Sequence, residues 1–126
     1  MNKSIVVSGV IIIVLGIVLG AFGAHALKER LEAEQLASFE TGVRYVMYHG
    51  LAFLILGLAA DRLPKLTWTY RLLLIGVVLF SGSIFLLALQ PIMGISLKFL
   101  GPVTPIGGTL MIVGWVLLLI SLLKKG

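Results

Sequence analysis

The sequence predicts an all-α membrane protein, a four-transmembrane-helix antiparallel bundle, and three observations carry that prediction. Of 126 residues, 60% are hydrophobic and 12% charged, against about 25% charged in an ordinary soluble domain. Four apolar runs separate the polar stretches, each close to the roughly 20 residues that cross a bilayer as a helix. Each run also carries small residues along one face, the surface through which helices meet in lipid. A helix satisfies its own backbone donors and acceptors, which is why apolar runs of this length are read as helices in hydrocarbon. The mean hydropathy of +1.15 agrees.

The first span covers about residues 4–24, and Ser4 to Ala24 contains no charge. Lys3, the apolar run and Ala24-His25-Ala26 also resemble a signal peptide with an A-x-A cleavage site. The run is longer than a usual signal core and glycines recur on one face, so a retained span is expected. Intact-protein mass decides whether residues 1–26 are removed.

Segment 25–42 is the most polar stretch, with Lys28, Glu29, Arg30, Glu32, Glu34 and Glu40. Leu27 and Leu31 are four apart, and Leu36, Phe39 and Val43 form a second apolar stripe. This pattern predicts a short extension of the first helix, a break near Glu32-Ala33, and an early start to the second. The first turns of that second helix form an amphipathic segment in the interface. The spans that follow cover about 43–60, 72–89 and 105–123. Thr104-Pro105 reads as an N-cap and a first-turn proline, where the missing N–H costs nothing.

Lys and Arg favour the cytoplasmic side of a membrane. The side with both termini and the 61–71 loop holds six, namely Lys3, Arg62, Lys65, Arg71, Lys124 and Lys125; Lys28, Arg30, Arg44 and Lys98 are the four on the other. Both termini are therefore expected in the cytoplasm. Trp68 and Tyr70 suit an aromatic belt on that side, and Tyr45 and Tyr48 suit the opposite belt.

Small residues supply the packing faces. Gly9, Gly16, Gly20 and Gly23 fall on one stripe of the first helix, with Gly16 and Gly20 forming a GxxxG pair. Gly42, Gly50 and Gly57 are read on one side of the second. Gly76 and Ser83 are seven apart in the third, and Gly107, Gly114 and Ser121 repeat every seven in the fourth. Short connections then favour a compact antiparallel bundle. The same faces would also serve a homo-oligomer or contact with other membrane proteins.

The candidate functional polar cluster is His49, Tyr45, Tyr48, Glu40, Arg44 and His25. His49 shares a side with the glycines of its helix and should face the bundle interior, where an ionisable group is a functional hypothesis by default. The plainer role is a neutral imidazole hydrogen-bonded to another helix. Glu40 and Arg44 have the i,i+4 spacing of a stabilising ion pair, and a structural pair is favoured over a substrate site. His25 and His49 on adjacent helices could in principle bind a haem axially, but their depths match poorly, so no cofactor is expected. Trp115 falls mid-helix, and its N–H requires a partner inside the bundle.

The remaining composition excludes more than it assigns. No cysteine is present, which removes disulfides, thiol catalysis and cysteine metal sites. The net charge of +5 is scattered between apolar runs and forms no basic stripe, so nucleic acid is not an expected partner; the lipid bilayer is. No Ser/His/Asp set, paired carboxylates, phosphate-cradling loop or metal-ligand cluster is visible. An enzyme and a metal site are not expected.

Four stretches, Gly20 to Leu27, Phe39 to His49, Phe80 to Leu89 and Gly101 to Gly108, resemble the YgdD/YwdK family of small bacterial membrane proteins, also called domain of unknown function 423. The resemblance runs from the first span to the fourth and is most specific from Glu40 to His49. The sequence departs from it at Glu32-Ala33-Glu34, where similar proteins often have Ser-Pro-Glu, and in a longer 90–100 loop. The resemblance implies a multi-pass inner-membrane protein and no particular activity. The sequence reading is a non-enzymatic structural or accessory membrane component, with a small carrier or proton-coupled pathway using His49 as the alternative.

Overall fold

A computed structural model describes residues 1–125. Four long helices account for most of it: α1 (Lys3–His25), α2 (Ala33–Leu58), α3 (Thr67–Ala88) and α5 (Val103–Lys125), with a single helical turn, α4 (Gln90–Met93), before the last. Short 3-10 turns at Ala60–Arg62 and Lys98–Leu100 complete the connections. The fold is all-α, and it has four helices long and apolar enough to cross a membrane.

The structure corrects several boundaries. The predicted extension of the first helix is instead a turn over residues 26–31. There the Arg30 and Leu31 N–H groups donate to the Leu27 carbonyl at 3.0 and 2.9 Å. Leu27 and Leu31 explain the turn: both are buried against Phe39 and Ala88, so the chain folds back and plugs this end of the bundle with two leucines. α2 then begins at Ala33, where the Gln35 side chain accepts from the Glu32 N–H at 3.2 Å, closing one orphan donor of the helix start. It runs without a break through the amphipathic segment and ends at Leu58 rather than 60.

α3 begins at Thr67, five residues before the apolar run that placed its predicted start at 72. The helix includes its own belt, because Thr69 is buried and holds that first turn against the bundle. α5 likewise begins at Val103, so Thr104 is not its N-cap. The Thr104 hydroxyl lies 2.5 Å from that of Ser83 on α3. Pro105 keeps its first-turn place, where no N–H is needed.

Three packed pairs build the bundle: α1 on α2, α3 on α5, and α2 on α3. The first two are antiparallel hairpins closed by glycine. A Cβ on Gly9 would lie 2.8 Å from the Gly50 carbonyl oxygen, and one on Gly57 would lie 2.8 Å from the Val6 nitrogen. Gly16 faces the Met47 sulfur, Gly23 faces the Phe39 ring, and Gly20 is looser against Val43. In the second hairpin, Gly76 and Gly107 face each other's carbonyls, while Gly114 receives Leu73. α2 does not keep its glycines on one partner. Gly50 and Gly57 face α1, whereas Gly42 faces Phe85 and Ile84 of α3, because eight residues of helix rotate Gly50 by about 80° from Gly42. The N-terminus is tied to the α2–α3 connection: the Met1 ammonium pairs with Asp61 at 2.5 Å, and the Asn2 N–H donates to the Gly57 carbonyl at 2.8 Å.

Candidate functional site

Val46, His49, Gly50 and Phe53 recur at three- and four-residue steps and are buried on α2, so the helix carries His49 inward. His49 is 6% exposed. Gly16 meets Met47 and Gly9 meets Gly50 across the first hairpin, which sets His49 level with the middle of α1. A 23-residue helix spans about 34 Å at 1.5 Å per residue, close to the hydrocarbon thickness of about 30 Å. His49 therefore sits near the bilayer midplane, about 7 Å deeper than Arg44 by helix rise.

Both ring nitrogens of His49 are engaged. The Trp115 indole N–H on α5 donates to Nε2 at 3.0 Å. Nδ1 lies 2.9 Å from the Tyr45 carbonyl oxygen, one turn earlier on the same helix. An indole nitrogen can only donate. Nε2 is thus the acceptor, and the ring proton resides on Nδ1, from which it is donated to Tyr45. A proton added at Nε2 would break the bond to Trp115.

Aromatic rings frame this pair. Tyr45 stacks on His49 with centroids 6.4 Å apart and meets Phe80 of α3 at 4.8 Å. The Trp115 and His49 centroids are 5.9 Å apart. Tyr45, His49, Phe80, Met111 and Trp115 line a groove of about 440 Å³. It is apolar apart from the few heteroatoms already paired. Ile112, Trp115 and Val116 are exposed on its α5 side, so the groove faces the surroundings of the bundle.

The six residues of the predicted cluster do not assemble. Tyr45 and His49 belong to the groove. Tyr48 is 56% exposed, although its ring still meets Tyr45 edge-on at 5.7 Å. His25 is exposed at the end of α1, far from His49 in depth. Glu40 and Arg44 are exposed, and the expected ion pair is replaced by a bond from Arg44 Nη2 to Thr41 Oγ1 at 2.9 Å. The threonine hydroxyl is three residues away on the same helix, within side-chain reach. No group of three or more His, Asp or Glu able to hold a metal is present among the described residues.

Sequence reading gave Trp115 an unnamed partner and missed the role of Phe80. Two further bonds join the hairpins. Ser81 Oγ donates to the Gly42 carbonyl at 2.8 Å, and the Ser8 and Tyr70 hydroxyls bond each other between α1 and α3. A donor-only tryptophan and an interior histidine are complementary, and that was the available signal.

A family model described as a protein of unknown function, DUF423, matches residues 19–108. The chain belongs to the DUF423 family. A UPF0382 membrane protein of Staphylococcus haemolyticus is 40% identical over 123 residues, 97% of each chain. A UPF0382 membrane protein of Staphylococcus saprophyticus is 39% identical over 97% of this chain and 98% of its own. The UPF0382 membrane protein YwdK of Bacillus subtilis is 35% identical over 97% of this chain and 98% of its own. No solved structure matches. With relatives named as membrane proteins and four helices suited to spanning, this DUF423 chain is an integral membrane protein. The matched region contains His49 and Phe80 and ends before Trp115.

Proposed function

We propose that this DUF423 protein is a non-enzymatic structural or accessory component of the bacterial cell (inner) membrane, acting as a compact bundle beside other membrane proteins or further copies of itself. One observation carries this reading. His49, an ionisable group at the bundle's mid-depth, spends both nitrogens on holding α2 to α5 and to its own preceding turn. A proton carrier needs a nitrogen that can exchange its proton without dismantling its surroundings. On this reading His49→Ala lowers the thermal midpoint of the detergent-solubilised protein and leaves proteoliposome flux at the level of protein-free vesicles. Trp115→Phe does the same more mildly, since it leaves Nε2 without a donor.

A second reading, a small carrier or proton-coupled pathway using His49, draws on the groove, which brings Tyr45 and His49 to a face open toward the lipid. It requires a pH-dependent flux in proteoliposomes that His49→Ala abolishes. Flux unchanged by that substitution excludes it.

The Lys/Arg bias favours both termini on the cytoplasmic side. The chain has no cysteine, so single cysteines report position directly. Lys3→Cys should be shielded from an impermeant thiol reagent in intact cells, and Lys98→Cys should be labelled. The reverse pattern inverts the topology.

A further inference from the structure

At the end of the bundle that carries the N-terminus, a cavity of about 430 Å³ opens between the starts of α1 and α3. Its wall includes Asn2, Ser4, Lys65, Thr67, Tyr70 and Arg71, and its only charged side chains are cationic, Lys65 and Arg71. The adjacent acid, Asp61, is already paired with the Met1 ammonium at 2.5 Å, so it does not neutralise them. Ile5, Leu63 and Leu66 give the cavity an apolar floor.

The cavity's depth follows from its neighbours. The Arg71 guanidinium carbon lies 5.1 Å from the Trp68 ring centroid, and Trp68 is exposed. An exposed tryptophan at the end of a membrane helix sits at headgroup level, so Arg71 does too. Below it, α1 and α3 present Val7, Ile11, Ile75 and Val78 outward, surfaces that acyl chains solvate. α1 and α3 both start here, adding two positive dipole ends to the two side-chain charges.

We propose that this cavity holds the phosphate of an anionic membrane lipid, with Lys65 and Arg71 as its charge partners and the acyl chains continuing into the bilayer. Asn2, Ser4 and Thr67 supply short polar groups around the headgroup. A cationic wall above an apolar floor, at the water–lipid boundary, suits a lipid better than a freely dissolved anion, which gains nothing from the floor.

The test is lipid retention by the full chain, read by native mass spectrometry after exposure to equimolar phosphatidylglycerol and phosphatidylcholine in detergent. The wild-type chain should retain one phosphatidylglycerol with about thirtyfold preference, the scale expected for two cations at a headgroup surface. K65Q/R71Q should fall to parity, while K65R/R71K keeps most of the preference and so separates charge from folding. R30Q/K98Q removes two exposed cations at the opposite end and should leave the preference intact. The proposal is overturned by parity in the wild type, by preference persisting in K65Q/R71Q, or by equal loss in R30Q/K98Q. Displacement of the retained lipid by millimolar inorganic phosphate would also overturn it, because the site would then read free phosphate.

Discussion

The seams inside the two hairpins and the seam between them are held by different physics. Inside the hairpins, glycines let backbones approach until a single added carbon has nowhere to go. Gly9 against Gly50, and Gly76 against Gly107, are contacts of backbone on backbone. Between the hairpins, side chains reach across with hydrogen bonds: Ser81 to the Gly42 carbonyl, Trp115 to His49, and Ser8 with Tyr70. In lipid, helix association rests on close packing and on such bonds, and this protein weights them differently. Ser83 also bonds Thr104 inside the second hairpin and Gly42 also receives Phe85 between the hairpins, but among the described residues backbone-on-backbone glycine contacts between helices occur only inside the hairpins. The hairpin seams should be intolerant of volume. The seam between them, where the nearest obstacles are side chains that can shift, should be more tolerant of volume and more sensitive to the loss of a polar partner.

The largest effect should come from adding one carbon to a hairpin seam. A Cβ at Gly107 would lie against the backbone nitrogen of Phe80 and 2.8 Å from the Gly76 carbonyl oxygen. Backbone cannot rotate away as a side chain can, so α3 and α5 must separate. Gly107→Ala should cost about 3 kcal/mol, the upper end of overpacking penalties, measured as unfolding by SDS titration in mixed micelles. Gly82 has nothing within 4 Å of its Cβ position and serves as the control. There alanine should be neutral or slightly stabilising, by up to about 1 kcal/mol from helix propensity. Equal destabilisation by both substitutions would dissolve the distinction between the seams.

A smaller effect belongs to the seam between hairpins. Ser81 is 1% exposed, and its hydroxyl donates to a carbonyl whose helix already uses it. Ser81→Ala should cost about 0.6–1.7 kcal/mol, the range for interhelical hydrogen bonds measured in membranes. Ser81→Cys, close in volume, should recover little of that loss if the bond matters and most of it if packing does.

Much of this arrangement was legible in the residues. Apolar length located four spans, and seven-residue glycine spacing located the hairpin faces, because both are properties of one helix at a time. What the sequence could not supply is which helix each face meets. Gly42 and Gly50 looked alike as neighbours on one side, yet one meets α3 and the other α1, since α2 is packed on two sides. Helix starts were misplaced where belt residues such as Trp68 and Tyr70 are helical but not apolar. Leu27 and Leu31, four apart, read as helix and proved to be a plug, because burial in a local core overrode periodicity. His49 was assigned to the interior from its own helix. Its partner Trp115 lies 66 residues away, and only the fold brings them together.

The smallest expected effect concerns the pair that spacing suggested and the structure rearranges. Arg44 bonds Thr41 at 2.9 Å rather than Glu40, and Glu40 and Arg44 are both exposed, at the rim of the first hairpin rather than within a seam. A double-mutant cycle on Glu40→Ala and Arg44→Ala should therefore return coupling near zero. An i,i+4 ion pair would give about 0.2–0.5 kcal/mol. The parallel cycle on Thr41→Val and Arg44→Ala should return the larger value. The comparison is sharpened by the setting, because Arg44 lies only about 7 Å above His49 and must reach toward the headgroups to keep its charge hydrated. An arginine extended in that direction leans toward the start of its own helix, which passes the Thr41 hydroxyl on the way. If the Glu40 cycle instead gives the larger coupling, the arginine is neutralised within the hydrocarbon, and this face of α2 sits deeper in the bilayer than the packing of α1 against it implies.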